Sequence, residues 1–200
     1  MYDYLSGKLV ELTPAYAVIE CAGAGYFINI SLNTYSKLSE PSSGSPLNKD
    51  CKLYVHQVVR EDALVLFGFE DKQEREIFLL LITVSGIGAN IARMILSSLS
   101  TKEIRKAIRD SDVNLLKSIK GIGTKSAQRI IVDLKDKLGK VETGDEIFTD
   151  KSNIIKEESL SALVMLGFSK GVVEKVIDSI LATEKDIPVE ELIKKALKKL

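Results

Sequence analysis

Two stretches of this chain follow one pattern 35 residues apart, and that repeat narrows the folds open to it. Ser85-Gly86-Ile87-Gly88-Ala89-Asn90-Ile91-Ala92-Arg93-Met94 is matched by Lys120-Gly121-Ile122-Gly123-Thr124-Lys125-Ser126-Ala127-Gln128-Arg129. Gly, Ile, Gly and a later Ala coincide, and the apolar pairs Ile95/Ile130 and Leu96/Ile131 continue the phase. Each Gly-Ile-Gly follows an apolar run of helical character, Ile77 to Val84 and Val113 to Ile119. Each unit therefore reads as helix, tight turn, helix.

Such a unit suits a phosphate group. Glycine accepts positive φ and lets another backbone come close. A helix opening at the turn presents N–H groups that have no intrahelical partner, at the positive end of its dipole. That is an anion site, to which Lys125 and Arg129, one helical turn apart, add charge. Contacts of this kind hold a nucleic-acid backbone in place without reading its sequence. A plain αα-hairpin closed by a glycine is the competing reading. Two such turns in register, the second followed by Lys and Arg, favour nucleic acid. Gly123-Thr124-Lys125-Ser126 superficially suggests a nucleotide loop, but Lys does not follow Gly directly and the long Gly-flanked loop is missing. A dinucleotide fingerprint needs a preceding strand, whereas Leu115 to Ile119 reads as helix.

The charge distribution agrees. The formal net charge is zero, yet residues 1–70, 71–140 and 141–200 carry −3, +6 and −3. The positive third holds both glycine turns, as a polyanion-binding module requires. Cys21, Cys51 and the single His56 have no metal spacing. The chain shows neither a long apolar run nor a basic-then-apolar leader, so a reduced, cytoplasmic protein is expected.

Residues 1 to about 69 read as β throughout. Leu5–Leu12, Ala15–Cys21, Tyr26–Ile30, Cys51–Val59 and Ala63–Phe69 are five short runs, the second and third separated by Ala22-Gly23-Ala24-Gly25. Five strands in that length suggest a small closed barrel of the OB type. Tyr2, Tyr4, Tyr16, Tyr26 and Phe27 are expected to fill core or interface. Residues 40–46, with two prolines, form a loop. Arg60-Glu61-Asp62 joins the last two strands; its residues alone read as a solvated turn, and a lone carboxylate pair is weak grounds for a Mg²⁺ site.

Residues 70–140 read as all-helical. Ser100-Thr101-Lys102-Glu103 forms a capping box and Asp112 caps the next helix. Residues 141–153 are polar, acidic and aperiodic, as in a flexible linker. Residues 154–200 form three short helices with a Leu166-Gly167-Phe168 turn and Pro188 opening the third. A core this small leaves apolar surface for a partner.

The paired units look like tandem helix-hairpin-helix motifs. Their place between a five-stranded barrel and a three-helix, ubiquitin-associated-like bundle closely resembles the RuvA family of Holliday-junction-binding proteins, over nearly the whole chain. The resemblance implies a multidomain α+β chain: an OB-fold barrel at 1–69, a tandem hairpin domain at 70–140, a linker at 141–153 and a motor-binding domain at 154–200. It implies a non-catalytic subunit with no cofactor of its own, ATP and Mg²⁺ being used by a RuvB-type ATPase motor. The implied DNA contacts are Gly86, Gly88 and Asn90 in the first hairpin, Gly121, Gly123, Thr124, Lys125 and Arg129 in the second, and Arg60. Glu61 and Asp62 match the family's acidic pin, which repels phosphates at the crossover. Leu166, Gly167 and Phe168 fall in the motor-binding domain. A homotetramer, four-way junction DNA and a RuvC-type resolving endonuclease complete the implied partners. Many RuvA proteins have Pro-Lys where this chain has Ala89-Asn90, so its first hairpin lacks a cation and relies on N–H groups, Asn90 and Arg93. The alternative is the tandem-hairpin DNA-binding subunit of another repair complex, such as an excision nuclease.

Overall fold

The computed structural model describes residues 2–40, 45–138, 151–184 and 187–200. The chain divides into two compact units, 1–142 and 143–200. The first opens with three antiparallel strands, β1 (Tyr4–Leu12), β2 (Tyr16–Cys21) and β3 (Ala24–Ile30), followed by a helix α1 (Leu32–Ser39) and strands β4 (Asp50–Val59) and β5 (Leu64–Phe69). They close a barrel in the order β1-β2-β3-β5-β4, β1 pairing back onto β4. Closure depends on one parallel ladder, Ile28–Ile30 of β3 against Leu66–Gly68 of β5. This closed five-stranded barrel is the one the run lengths predicted, and full closure removes exposed sheet edges. Alternate residues fill it: Leu5, Leu9, Ala17, Ile19, Ile28, Ile30, Leu53 and Val55 form its core. Gly68 faces that core, where a Cβ would stand 2.5 Å from Ile28 Cγ2.

Several local expectations change. The turn between β2 and β3 is Ala22-Gly23 alone, both at positive φ (50° and 85°), as a two-residue hairpin turn requires, so Ala24 and Gly25 belong to β3. The aromatics do not fill the barrel: Tyr2, Tyr4 and Phe27 are exposed, and only Tyr26 packs against its core. Strand alternation turns Tyr4 and Phe27 outward, next to inward Leu5 and Ile28, and Tyr16 stacks on Phe27 with ring centroids 4.5 Å apart.

α1 is a helix where the sequence pattern suggests only strand and loop. Its Leu-Asn-Thr-Tyr-Ser-Lys-Leu-Ser run is short and polar; Thr34 is buried, and Tyr35 and Leu38 rest half-buried on the barrel core. Ser31 caps it, accepting from Thr34 N–H. Of the predicted 40–46 loop, residues 41–44 lie outside the described residues.

The helical half of the unit follows as α2 (Lys72–Ile82), α3 (Ala89–Ser98), α4 (Thr101–Arg109), α5 (Val113–Lys117) and α6 (Thr124–Leu138). The capping box at Ser100/Glu103 is complete in both directions, and Asp112 accepts from Leu115 N–H, so both predicted caps hold. One apolar core runs from Phe67 and Phe69 of β5 through Phe78 and Leu81 of α2 to Leu134 of α6. Phe78 sits 5.2 and 4.9 Å from the rings of Phe67 and Phe69. The outer face of β5 is thus the floor of the helical half. Each of these large side chains contributes roughly 1.5–3 kcal/mol on burial.

Polar bonds reinforce this seam. Glu74 is 1% exposed and accepts from the hydroxyls of Ser31 and Thr34 (2.8 Å for Thr34). Asn33 donates to the carbonyls of Leu96 and Leu99 at 2.6 and 3.0 Å, satisfying the end of α3. His56 lies 5.7 Å from the Phe78 ring at the same seam.

The second unit is a three-helix bundle: α7 (Lys151–Met165), α8 (Lys170–Leu181) and α9 (Val189–Leu197), with Pro188 before α9. Leu163, Val173, Ile177, Ile180, Ile187, Leu192 and Ala196 form its core. Most of the predicted 141–153 linker lies outside the described residues, but 151–153 belong to α7 and not to a linker. The apolar period of this helix begins only after its first turn, so the sequence pattern places the start too late.

Candidate nucleic-acid interface

The two glycine turns are built alike. Gly86 and Gly121 have φ of 88° and 89°. In each turn the Ile N–H closes onto the residue ahead of the turn, Ile87 to Val84 O at 3.0 Å and Ile122 to Ile119 O at 3.1 Å. In each following helix the in-phase Ala returns to the second glycine, Ala92 to Gly88 O and Ala127 to Gly123 O, both at 2.9 Å. Ile87, Ile122, Ala92, Ala127, Ile95 and Ile130 are buried in the same core. The repeat in sequence is therefore a repeat in space, with the apolar members facing inward and the glycines left outside.

Gly86, Gly88, Asn90, Gly121, Gly123, Thr124, Lys125 and Arg129 are all exposed. No side chain caps α3, so its first N–H groups face solvent. A Cβ added at Gly88, Gly121 or Gly123 would meet nothing within 4 Å, so the protein itself leaves space above both turns. Chemically, each turn offers a cluster of N–H donors at a positive helix end, and the second adds the Lys125 ammonium.

The cations do not sit as their spacing alone suggests. Arg129 donates from Nη1 to the carbonyl of Ser85 at 3.1 Å, so the arginine of the second unit reaches the turn of the first. Arg93, expected to support the first hairpin, instead donates to Ala15 O at 3.1 Å and to Asn29 Oδ1 at 3.0 Å on the barrel. Burial disfavours its charge and draws its pKa below the usual arginine value. A strand-to-helix contact 64 residues away takes it from the anion site, and nothing near Arg93 in the sequence signals that capture.

Arg60, Glu61 and Asp62 form the exposed tip of the β4–β5 hairpin, closed by Arg60 N–H to Ala63 O at 2.9 Å. In the second unit Gly167 takes φ of 102°, and two bonds, Phe168 N–H to Leu163 O at 3.2 Å and Gly167 N–H to Val164 O at 3.0 Å, end α7 in a Schellman turn. Leu166 is left 62% exposed, while Phe168 packs against the bundle core.

Among the described residues no group of His, Cys, Asp and Glu could hold a metal ion, and no helix is long and apolar enough to cross a membrane. Both cysteines are free thiols. Burial, with the Glu70 charge nearby, pushes the Cys51 thiol up to about 11, which makes it a poor nucleophile.

Residues 1–68 match the RuvA N terminal domain, 78–136 the SAM-like helix-hairpin-helix tandem, and 155–200 the RuvA C-terminal domain. The chain is 52% identical to the Holliday junction branch migration complex subunit RuvA of Bacteroides thetaiotaomicron, with both chains covered in full. The chain belongs to the RuvA family. Relatives of the same name from Christiangramia forsetii and Porphyromonas gingivalis are 50% and 43% identical, again over the whole of both chains. The RuvA layout of barrel, tandem hairpins and carboxy-terminal helices is the layout found here.

Proposed function

We propose that this chain is a non-catalytic, structure-specific DNA-binding subunit of a Holliday junction branch migration complex, acting in homologous recombination and DNA repair. The pair of matched glycine turns carries the reading: two anion sites of one geometry, held on one core in the basic third of the chain. The family membership adds the target. A phosphate of one strand docks on the N–H groups at Gly86, Gly88 and Asn90, and another on Gly121, Gly123, Thr124 and Lys125. The second site is the stronger, since it carries the Lys125 ammonium where the first has Asn90.

Arg60 contacts the backbone near the crossover, while Glu61 and Asp62 repel phosphates and part the exchanging strands. Four copies surround the four arms of an opened junction. The division of labour is a barrel at 1–69 with the pin, DNA binding at 70–140 and motor recruitment at 151–200 through the Leu166-Gly167-Phe168 turn. A RuvB-type ATPase supplies ATP and Mg²⁺ chemistry, a RuvC-type endonuclease resolves the product, and the complex works in the cytoplasm.

The test is competition binding of a synthetic four-way junction against linear duplex of equal length, across a salt series. The reading expects strong junction preference with a steep salt slope, and Glu61→Ala with Asp62→Ala keeping affinity while loosening that preference. Equal, weak binding of both DNAs refutes it.

A further inference from the structure

The β4–β5 hairpin has an apolar flank that neither barrel nor helices cover. Val58 faces Val65 and Val59 faces Leu64 across the ladder. Directly opposed residues share a face, and adjacent pairs take opposite faces. Val58 and Val65 rest on the helical core, which anchors the hairpin to the part of the chain that carries the two glycine turns. Val59 and Leu64 point the other way and are 70% and 68% exposed. Isolated exposed apolar residues are ordinary. This pair is different, because the two oppose each other directly below the Arg60-Glu61-Asp62 tip.

We infer that Val59 and Leu64 form a contact for the faces of unstacked bases at the branch point of junction DNA. The inference rests on the junction-binding reading above and adds a site to it. Its warrant is chemical complementarity. A tip bearing Glu61 and Asp62 repels phosphate, and Arg60 draws it to the side. The uncharged part of DNA left to meet an aliphatic pair is the base face. In duplex those faces are stacked away, whereas apolar side chains inserted where stacking is interrupted are a known way to hold distorted DNA. The branch point is where stacking is interrupted. The acidic tip thus excludes backbone and the apolar flank accepts bases, and together they favour a branch over a continuous helix.

The experiment uses the full chain and an immobile four-way junction with 2-aminopurine beside the crossover, or in a second version well inside one arm. Val59→Ser with Leu64→Ser is compared with wild type, and Val59→Ala with Leu64→Ala serves as a milder pair; unchanged melting shows that the fold is kept. Wild type is expected to raise emission at the crossover and not in the arm. The serine pair is expected to return the crossover signal towards that of free junction and to lower junction affinity roughly 10-fold, with an unchanged salt slope. Unchanged crossover emission and affinity in both variants overturn the inference while leaving the junction reading intact. A smaller assembly of the variants by light scattering also overturns it, since the flank would then be an interface between copies. If wild type itself shows no preference for junction over duplex, the underlying reading fails before any variant is compared.

Discussion

Arg129 Nη1 donates to the carbonyl oxygen of Ser85 at 3.1 Å, joining the helix after the second glycine turn to the residue that opens the first. The two anion sites are therefore not independent modules on a shared core. The cation that sequence spacing assigned to the second site also holds the first turn in place.

Lys125 and Arg129 should accordingly behave differently on substitution. Lys125→Ala removes an exposed ammonium and should flatten the log–log salt dependence of junction binding by about 0.9 for each phosphate it no longer neutralises, leaving melting unchanged. Arg129→Ala should also cost about 1 kcal/mol or less of stability, because the bond to Ser85 is exposed. A salt series with parallel melting curves checks both. Identical melting of wild type and Arg129→Ala would show that the bond to Ser85 does not matter.

The glycines within one turn separate conformation from access. Gly121 sits at φ of 89°, so Gly121→Ala should lose about 1–2 kcal/mol of stability from backbone strain, and binding with it. Gly123 is outside that region and a Cβ there meets no atom within 4 Å. Gly123→Ala should fold as stably as wild type yet bind junction DNA more weakly, since its methyl group stands where a phosphate would approach. Full binding by Gly123→Ala would remove that turn from the interface.

Glu74 gives the seam between barrel and helices a pH dependence. Burial raises its pKa above the usual carboxylate value, against the bonds from Ser31 and Thr34 that lower it; the Asp71 charge adds to the rise and Lys37 opposes it. The folded value lies above the unfolded one, so the proton is held more tightly in the fold. Glu74's contribution is full below the ordinary carboxylate value and is lost as pH rises through the raised value. Asp71 runs the other way. Burial disfavours its charge too, but the bonds from Lys37 and from Glu74 N–H hold its pKa below the usual range, so its contribution is lost as pH falls through that lowered value. Relative to Glu74→Gln, wild type should lose stability as pH rises through the Glu74 window, whereas Glu74→Ala, which strands two buried hydroxyls, should be about 2 kcal/mol less stable than Glu74→Gln at every pH. All six tyrosines lie within residues 1–54, so urea unfolding followed by tyrosine emission reports on this unit. A pH-independent difference between wild type and Glu74→Gln would contradict the assignment.

In the carboxy-terminal bundle, Leu166 and Phe168 should divide surface from core. Leu166→Asp alters an exposed side chain beside the Schellman turn and should leave the bundle folded while abolishing capture of a RuvB-type ATPase. Phe168→Ala removes a ring packed on a small core and should cost about 3 kcal/mol. Retained capture by Leu166→Asp, measured with purified motor, would move the docking surface elsewhere.

Local structure is legible in the amino-acid order alone. The helix-turn-helix repeat, the capping box at Ser100/Glu103, the hairpin turn at Arg60–Asp62 and five strands can all be read from it, because helix period, strand alternation and turn chemistry act over a few residues. Where the charges work depends instead on the folded chain. Arg93 and Arg129 stand at helix positions that look equally available, yet Arg93 is taken by Ala15 and Asn29 of the barrel, and Arg129 crosses to Ser85. α1 is hidden in the sequence for a related reason. Its helical state rests less on its own polar residues than on what it docks against: the barrel below Tyr35 and Leu38, the α3 carbonyls that Asn33 satisfies, and buried Glu74 beneath Ser31 and Thr34. Side chains with free donors and acceptors bond whatever the folded chain brings within reach, and partners 40 or more residues apart leave no period in the sequence to announce them.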